Sequence, residues 1–122
     1  MREDIAKIWV KELRSGKYKQ GGDYLCRDDK YCCLGVLCDI FKKTVKTPEF
    51  SRSKTSAGGS EITYFGGNFD VLPVEVMEWA GILTPSGTYS DTGYTHSLSE
   101  LNDGGHSFDE LADIIEAEYH QL

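Results

Sequence analysis

Tyr24-Leu25-Cys26-Arg27-Asp28-Asp29-Lys30-Tyr31-Cys32-Cys33-Leu34-Gly35-Val36-Leu37-Cys38-Asp39 changes character part-way along. Up to Cys32, aromatic and apolar residues alternate with charges around Asp28-Asp29, the pattern of short strands joined by an acidic turn. From Leu34 onward the apolar spacing becomes helical: Leu34, Leu37, Ile40 and Phe41 form one face, and Lys42 and Lys43 suit the negative end of the helix dipole. A strand pair running straight into a buried helix points to an α+β fold.

Upstream, Ile5, Ile8, Trp9 and Leu13 recur at three and four residues, predicting an amphipathic helix from Arg2 to Arg14 that Gly16 stops; Lys17 to Gly22 reads as a further short strand. Downstream, Thr44 to Ser60 is rich in Ser, Thr, Lys and Gly and is expected to be a mobile loop, either a lid or a linker. Ile62-Phe65, Gly66-Gly67-Asn68 and Phe69-Leu72 read as a hairpin. Pro73 suits the first turn of a short helix with Val76, Trp79 and Ala80 inward. A second polar loop is expected from Thr84 to Thr95, with Tyr89 and Tyr94 as ordinary loop aromatics or base-stacking candidates.

Ser97-Leu98-Ser99-Glu100 and Ser107-Phe108-Asp109-Glu110 each match a capping box. They open two helices, a short one ending at Asn102-Asp103-Gly104-Gly105 and a longer one from Phe108 to about His120. The whole predicts one α+β domain, a small antiparallel sheet with packed helices, bearing polar loops at about 44–60 and 84–95.

The charges are divided along the chain. All thirteen lysines and arginines lie between Arg2 and Lys54, where eight carboxylates leave a net +5; the remaining residues carry twelve acids and no base. Cations for any phosphate-bearing ligand must therefore come from the first half, with amides, hydroxyls, aromatics and His96, His106 or His120 from the second. The net −7 argues against a sequence-independent duplex DNA binder. The charged start Met1-Arg2-Glu3-Asp4 has no long apolar run behind it, which predicts neither a signal peptide nor a membrane span. A cytosolic protein with reduced cysteines is expected.

No dinucleotide or phosphate-loop glycine motif is present. Cys26, Cys32, Cys33 and Cys38 lack the spacing of a zinc knuckle, so no metal site or cofactor is predicted. Cys32 or Cys33, near a helix N-terminus, could be a nucleophile served by a histidine, or simply a buried thiol.

Taken together, Leu13-Arg14-Ser15-Gly16-Lys17-Tyr18-Lys19-Gln20-Gly21, Tyr31-Cys32-Cys33-Leu34-Gly35-Val36-Leu37-Cys38-Asp39, Leu72-Pro73 before Trp79, Leu101-Asn102-Asp103, Gly105 and Ser107-Phe108 resemble a large family of small phage proteins. Within it the chain is most similar to the Thoeris anti-defence sponges, which bind cyclic ADP-ribose isomers and, in some members, cyclic oligonucleotides. The resemblance implies a non-enzymatic, cytoplasmic, homo-oligomeric binder of a small cyclic nucleotide, with no nucleic-acid or membrane partner.

For such a ligand, Arg27 with Lys17 and Lys19 would meet the pyrophosphate, unless Arg27 pairs with Asp28 or Asp29. Asn102 would read a base edge and Asp103 a ribose hydroxyl, or both would cap a helix end; Tyr18 would stack on a base or pack in the core. Two other readings stay open: a Cys/His hydrolase of the same signal, and an acidic decoy for a host nucleic-acid-binding protein.

Overall fold

The computed structural model describes residues 1–46, 50 and 52–122. The parts of the expected 44–60 loop at 47–49 and 51 lie outside the described residues. The chain forms α1 (Glu3–Arg14), β1 (Lys19–Gln20), β2 (Cys26–Arg27), β3 (Lys30–Tyr31), α2 (Cys33–Val45), β4 (Arg52–Ala57), β5 (Ser60–Phe65), α3 (Val74–Ala80), β6 (Thr88–Asp91), β7 (Tyr94–Ser97), α4 (Leu98–Asp103) and α5 (Phe108–Glu118). The α+β class holds.

Helix α2 is the centre of the core. Every residue from Cys33 to Phe41 is buried, Asp39 included, so this part of the helix is enclosed on all sides rather than along one stripe. Its first turn is capped by the Cys32 sulfur, which accepts from the Gly35 N–H at 3.4 Å. Gly35 is dictated by close approach: a Cβ there would stand 1.9 Å from the Leu25 carbonyl oxygen. The buried Trp9 of α1 donates its indole N–H to the Cys33 carbonyl at 2.9 Å. Helix α1 also lies along α5, where the Arg14 guanidinium reaches Asp113 (2.6 Å) and Glu116 (3.0 Å). Phe41 packs edge-on to Phe50 and Trp79, which brings α3 onto the same core.

Five strands form one sheet in the order β1-β3-β2-β5-β4, and β6-β7 is a separate hairpin. All pairings are antiparallel except β1 with β3. The hairpin β2–β3 turns through Asp28 and Asp29, both at positive φ (52° and 60°), the two-residue geometry whose twist matches the flanking strands. Its outer edge receives β1, which runs alongside β3.

Three expectations are corrected. The 44–60 segment is not a loop throughout: α2 extends to Val45, and Arg52–Ala57 pairs residue by residue with β5. The 84–95 segment contains β6 and the start of β7. Both contain strands without apolar alternation, because pairing with a neighbouring strand supplies the hydrogen bonds that their Ser, Thr and Tyr residues do not advertise. The hairpin expected at 62–72 has its glycine turn but not its second strand. Phe65 and Asn68 exchange two backbone bonds, and the Phe69 carbonyl then accepts from Leu25 N–H, leaving β4 as the hairpin partner of β5.

Both expected serines cap their helices, but only the second forms the full reciprocal box. Ser97 accepts from Glu100 N–H, and Ser107 and Glu110 make the reciprocal box. Among the described residues no helix is long and apolar enough to cross a membrane.

Candidate functional site

Strand register places three cations side by side. Lys19 lies opposite Lys30 and Lys30 opposite Arg27, on three adjacent strands. Residues directly opposite one another share a face, so these three project together, and all three are exposed. With strands about 4.8 Å apart, the row spans about 10 Å. The other face of these strands looks inward: Cys26, Thr63 and Phe65 are buried there, and Tyr31 is half-buried.

Aromatic rings continue the row. The Arg27 guanidinium stands 5.1 Å from the centre of the Tyr24 ring. Tyr24 contacts Phe69 (5.9 Å between centroids), and Phe69 contacts Tyr64 (5.6 Å, edge-on). Tyr64 shares the Arg27 face because Ile62, two residues earlier, is the register partner of Arg27. Phe69 is 40% exposed, a cost in apolar surface that a stacking ligand would recover. Arg27 forms no salt bridge with Asp28 or Asp29. Asp28 is held by the Glu61 N–H and Asp29 lies 4.0 Å from Lys54.

The other expected site residues lie elsewhere. Tyr18 donates its hydroxyl to the nearly buried Asp39 carboxylate at 2.6 Å and packs edge-on to Tyr31. Burial and that carboxylate push the phenol well above its ordinary pKa. Lys17, beside Tyr18 in the chain, is 3.6 Å from Glu12. Both line a groove between α1 and α2, whereas Lys19 is on the sheet face.

Asn102 is 5% exposed, and both its amide atoms are taken up within the chain. Its oxygen accepts from Gln20 Nε2 (2.9 Å) and Cys33 N–H (3.2 Å). Its nitrogen donates to the Gly21 carbonyl (2.8 Å) and, more weakly, to Asp103 Oδ1 (3.4 Å). Asp103 also accepts from Asp23 N–H at 2.9 Å. The pair therefore ties the β1–β2 connection and the start of α2 to the end of α4.

The cysteines are all buried. Desolvation pushes the Cys32 thiol up to about 11 and those of Cys33 and Cys38 well above the ordinary range. The histidines have structural contacts: His96 lies against Tyr89, the His106 ring against the Leu101 carbonyl, His120 against Tyr119.

Gly35, Cys32 and Asn102 each have a structural role in this chain's scaffold. The chain belongs to the DUF8296 family. The family model, described as a domain of unknown function, matches residues 1–119. No curated protein and no solved structure is significantly similar to this chain. Of the residues gathered on this face of the DUF8296 domain, the sequence expectation names Lys19 and Arg27 and does not name Lys30, Tyr24, Tyr64 or Phe69. One signal was available: a two-residue turn at Asp28-Asp29 necessarily sets Arg27 opposite Lys30.

Proposed function

We propose that this DUF8296 protein binds a cyclic nucleotide signal on the solvent face of its sheet and holds it uncleaved, as an anti-defence sponge of the Thoeris type. The observation that carries the reading is the row Lys19-Lys30-Arg27 running into Tyr24, Phe69 and Tyr64. Phosphates suit the cations and a purine suits the rings, and both sets belong to one face. The resemblance to the sponges supplies the finer identity, a cyclic ADP-ribose isomer.

A sheet face is open on one side, and high affinity needs more enclosure than it offers. A second copy of the chain closing over it would provide that, in keeping with a homo-oligomer. Sequestration requires affinity of about −12 kcal/mol, roughly nanomolar.

The hydrolase alternative draws no support from the cysteines, since a nucleophile must be a thiolate within reach of substrate and these thiols are sequestered. Incubation with a defence-signal extract, removal of free ligand, heat denaturation and mass analysis of the released material is the test. Intact cyclic nucleotide is the expected product; a linear or cleaved one overturns the reading.

A further inference from the structure

Lys19 stands between two anchored neighbours. Before it, the Tyr18 hydroxyl reaches in to the nearly buried Asp39 at 2.6 Å. After it, the Gln20 carboxamide donates to Asn102 Oδ1 (2.9 Å) and to the His106 carbonyl (2.7 Å) and accepts from Phe108 N–H (3.2 Å). Tyr18 and Gln20 are half-buried, whereas Lys19 between them is exposed. The alternation of an extended chain turns that one side chain outward, onto the face of Lys30 and Arg27.

Strand β1 has little else to fasten it. It is two residues long, lies at the edge of the sheet and has β3 as its one strand neighbour. Beyond it the Gly21 N–H donates to the Tyr31 carbonyl at 2.8 Å, and Gly21 comes so near β3 that a Cβ there would stand 2.8 Å from that of Lys30. So short an edge strand opens at small cost unless its side chains are tied down. Among the described residues none of Lys19, Lys30 and Arg27 makes an ion pair, so no carboxylate holds the row in place.

We propose that Gln20 is a positioning residue of the sheet-face site: by fastening β1 to α4 and the start of α5 it keeps Lys19 in line with Lys30 and Arg27. The inference rests on the reading of that face as the place where phosphates are held. All three partners of the Gln20 side chain belong to the part of the chain that has no lysine or arginine. That acid-rich part then serves the cation row through neutral amide groups, without adding a charge to it.

Inorganic pyrophosphate is the probe, because it needs the cations and not the rings, and amide chemical shifts of the labelled chain read its binding at Lys19, Lys30 and Arg27. Lys19→Ala and Gln20→Met, the latter of similar length but without an amide, should each weaken it about threefold, the scale of one exposed charge contact. The double variant should bind no more weakly than either single one, while Arg27→Ala should cost the same with and without Gln20→Met. Parent-like binding by either single variant, full additivity of the two, or absence of saturable shifts in the parent would each overturn the proposal. Amide hydrogen exchange of the parent adds a measurement that no variant's folding can confuse. The Gly21 N–H should be protected as well as the Asp28 N–H, which donates to the Glu61 carbonyl; exchange at the rate of an unstructured amide would show that β1 is not held. Pyrophosphate binding with this pattern, beside no binding of the cyclic nucleotide, would overturn the nucleotide reading and leave the role of Gln20 standing.

Discussion

The carboxamides of Gln20 and Asn102 meet at 2.9 Å across 82 residues of chain, and between them they hold three elements in place. Gln20 also donates to the His106 carbonyl (2.7 Å) and accepts from Phe108 N–H (3.2 Å), while Asn102 accepts from Cys33 N–H. The edge strand β1, the start of α2 and the start of α5 are therefore coupled through two neutral side chains. Replacing Asn102 by alanine leaves the Cys33 N–H and Gly21 carbonyl without these partners in a largely buried place. A loss of about 2–4 kcal/mol is expected from two such groups. Urea unfolding with an unchanged denaturant slope measures it; a loss under about 0.5 kcal/mol would show that the pair is not a structural tie.

Gly35→Ala should be more damaging than its helix propensity suggests. Alanine is the better helix former, yet its methyl would need the space of the Leu25 carbonyl oxygen 1.9 Å away. Helix α2 would have to move off β2, and a cost of about 3 kcal/mol or more is expected. Thermal melting decides this: a variant as stable as the parent would mean that helix and strand separate at little cost.

The thiols should be inert in the native protein. A disulfide reagent at mildly alkaline pH is expected to label none of the four cysteines until denaturant is added, then all four. Rapid labelling of Cys32 or Cys33 in the folded state would revive a nucleophilic role. A stability effect accompanies this. Because the folded Cys32 pKa is raised, its contribution is fully present below the ordinary thiol range and is lost as pH rises through about 11. Cys32→Ser should make that alkaline limb of the pH–stability curve shallower, with Cys33 and Cys38 supplying the remainder.

Legibility in the sequence followed the strength of local signals. The Asp28-Asp29 turn, the helix after Cys32 and the two serine caps rest on residues that satisfy their neighbours' backbone, so they could be read one segment at a time. Strand β4, with its Ser53, Lys54, Thr55 and Ser56, owes its existence to β5, a relationship that no local pattern in it expresses. The proposed site was half legible for the same reason. Lys17 and Lys19 look alike in the chain, but Tyr18 reaches in to Asp39 and they fall into different surroundings. Lys30 and Tyr64 join Arg27 only through strand register.

The central claim is that the cation row and its rings hold the nucleotide. Titration calorimetry of the cyclic ADP-ribose isomer against the parent, Arg27→Ala and Lys30→Ala, at low and high salt, tests it directly. Circular dichroism confirms folding, which these exposed positions should not disturb. Each substitution is expected to cost about 1.5–3 kcal/mol of binding, the range for a hydrogen bond to a charged group, and to reduce the salt dependence of affinity. Folded Arg27→Ala and Lys30→Ala proteins that bind the ligand as tightly as the parent, with the same salt dependence, would contradict it.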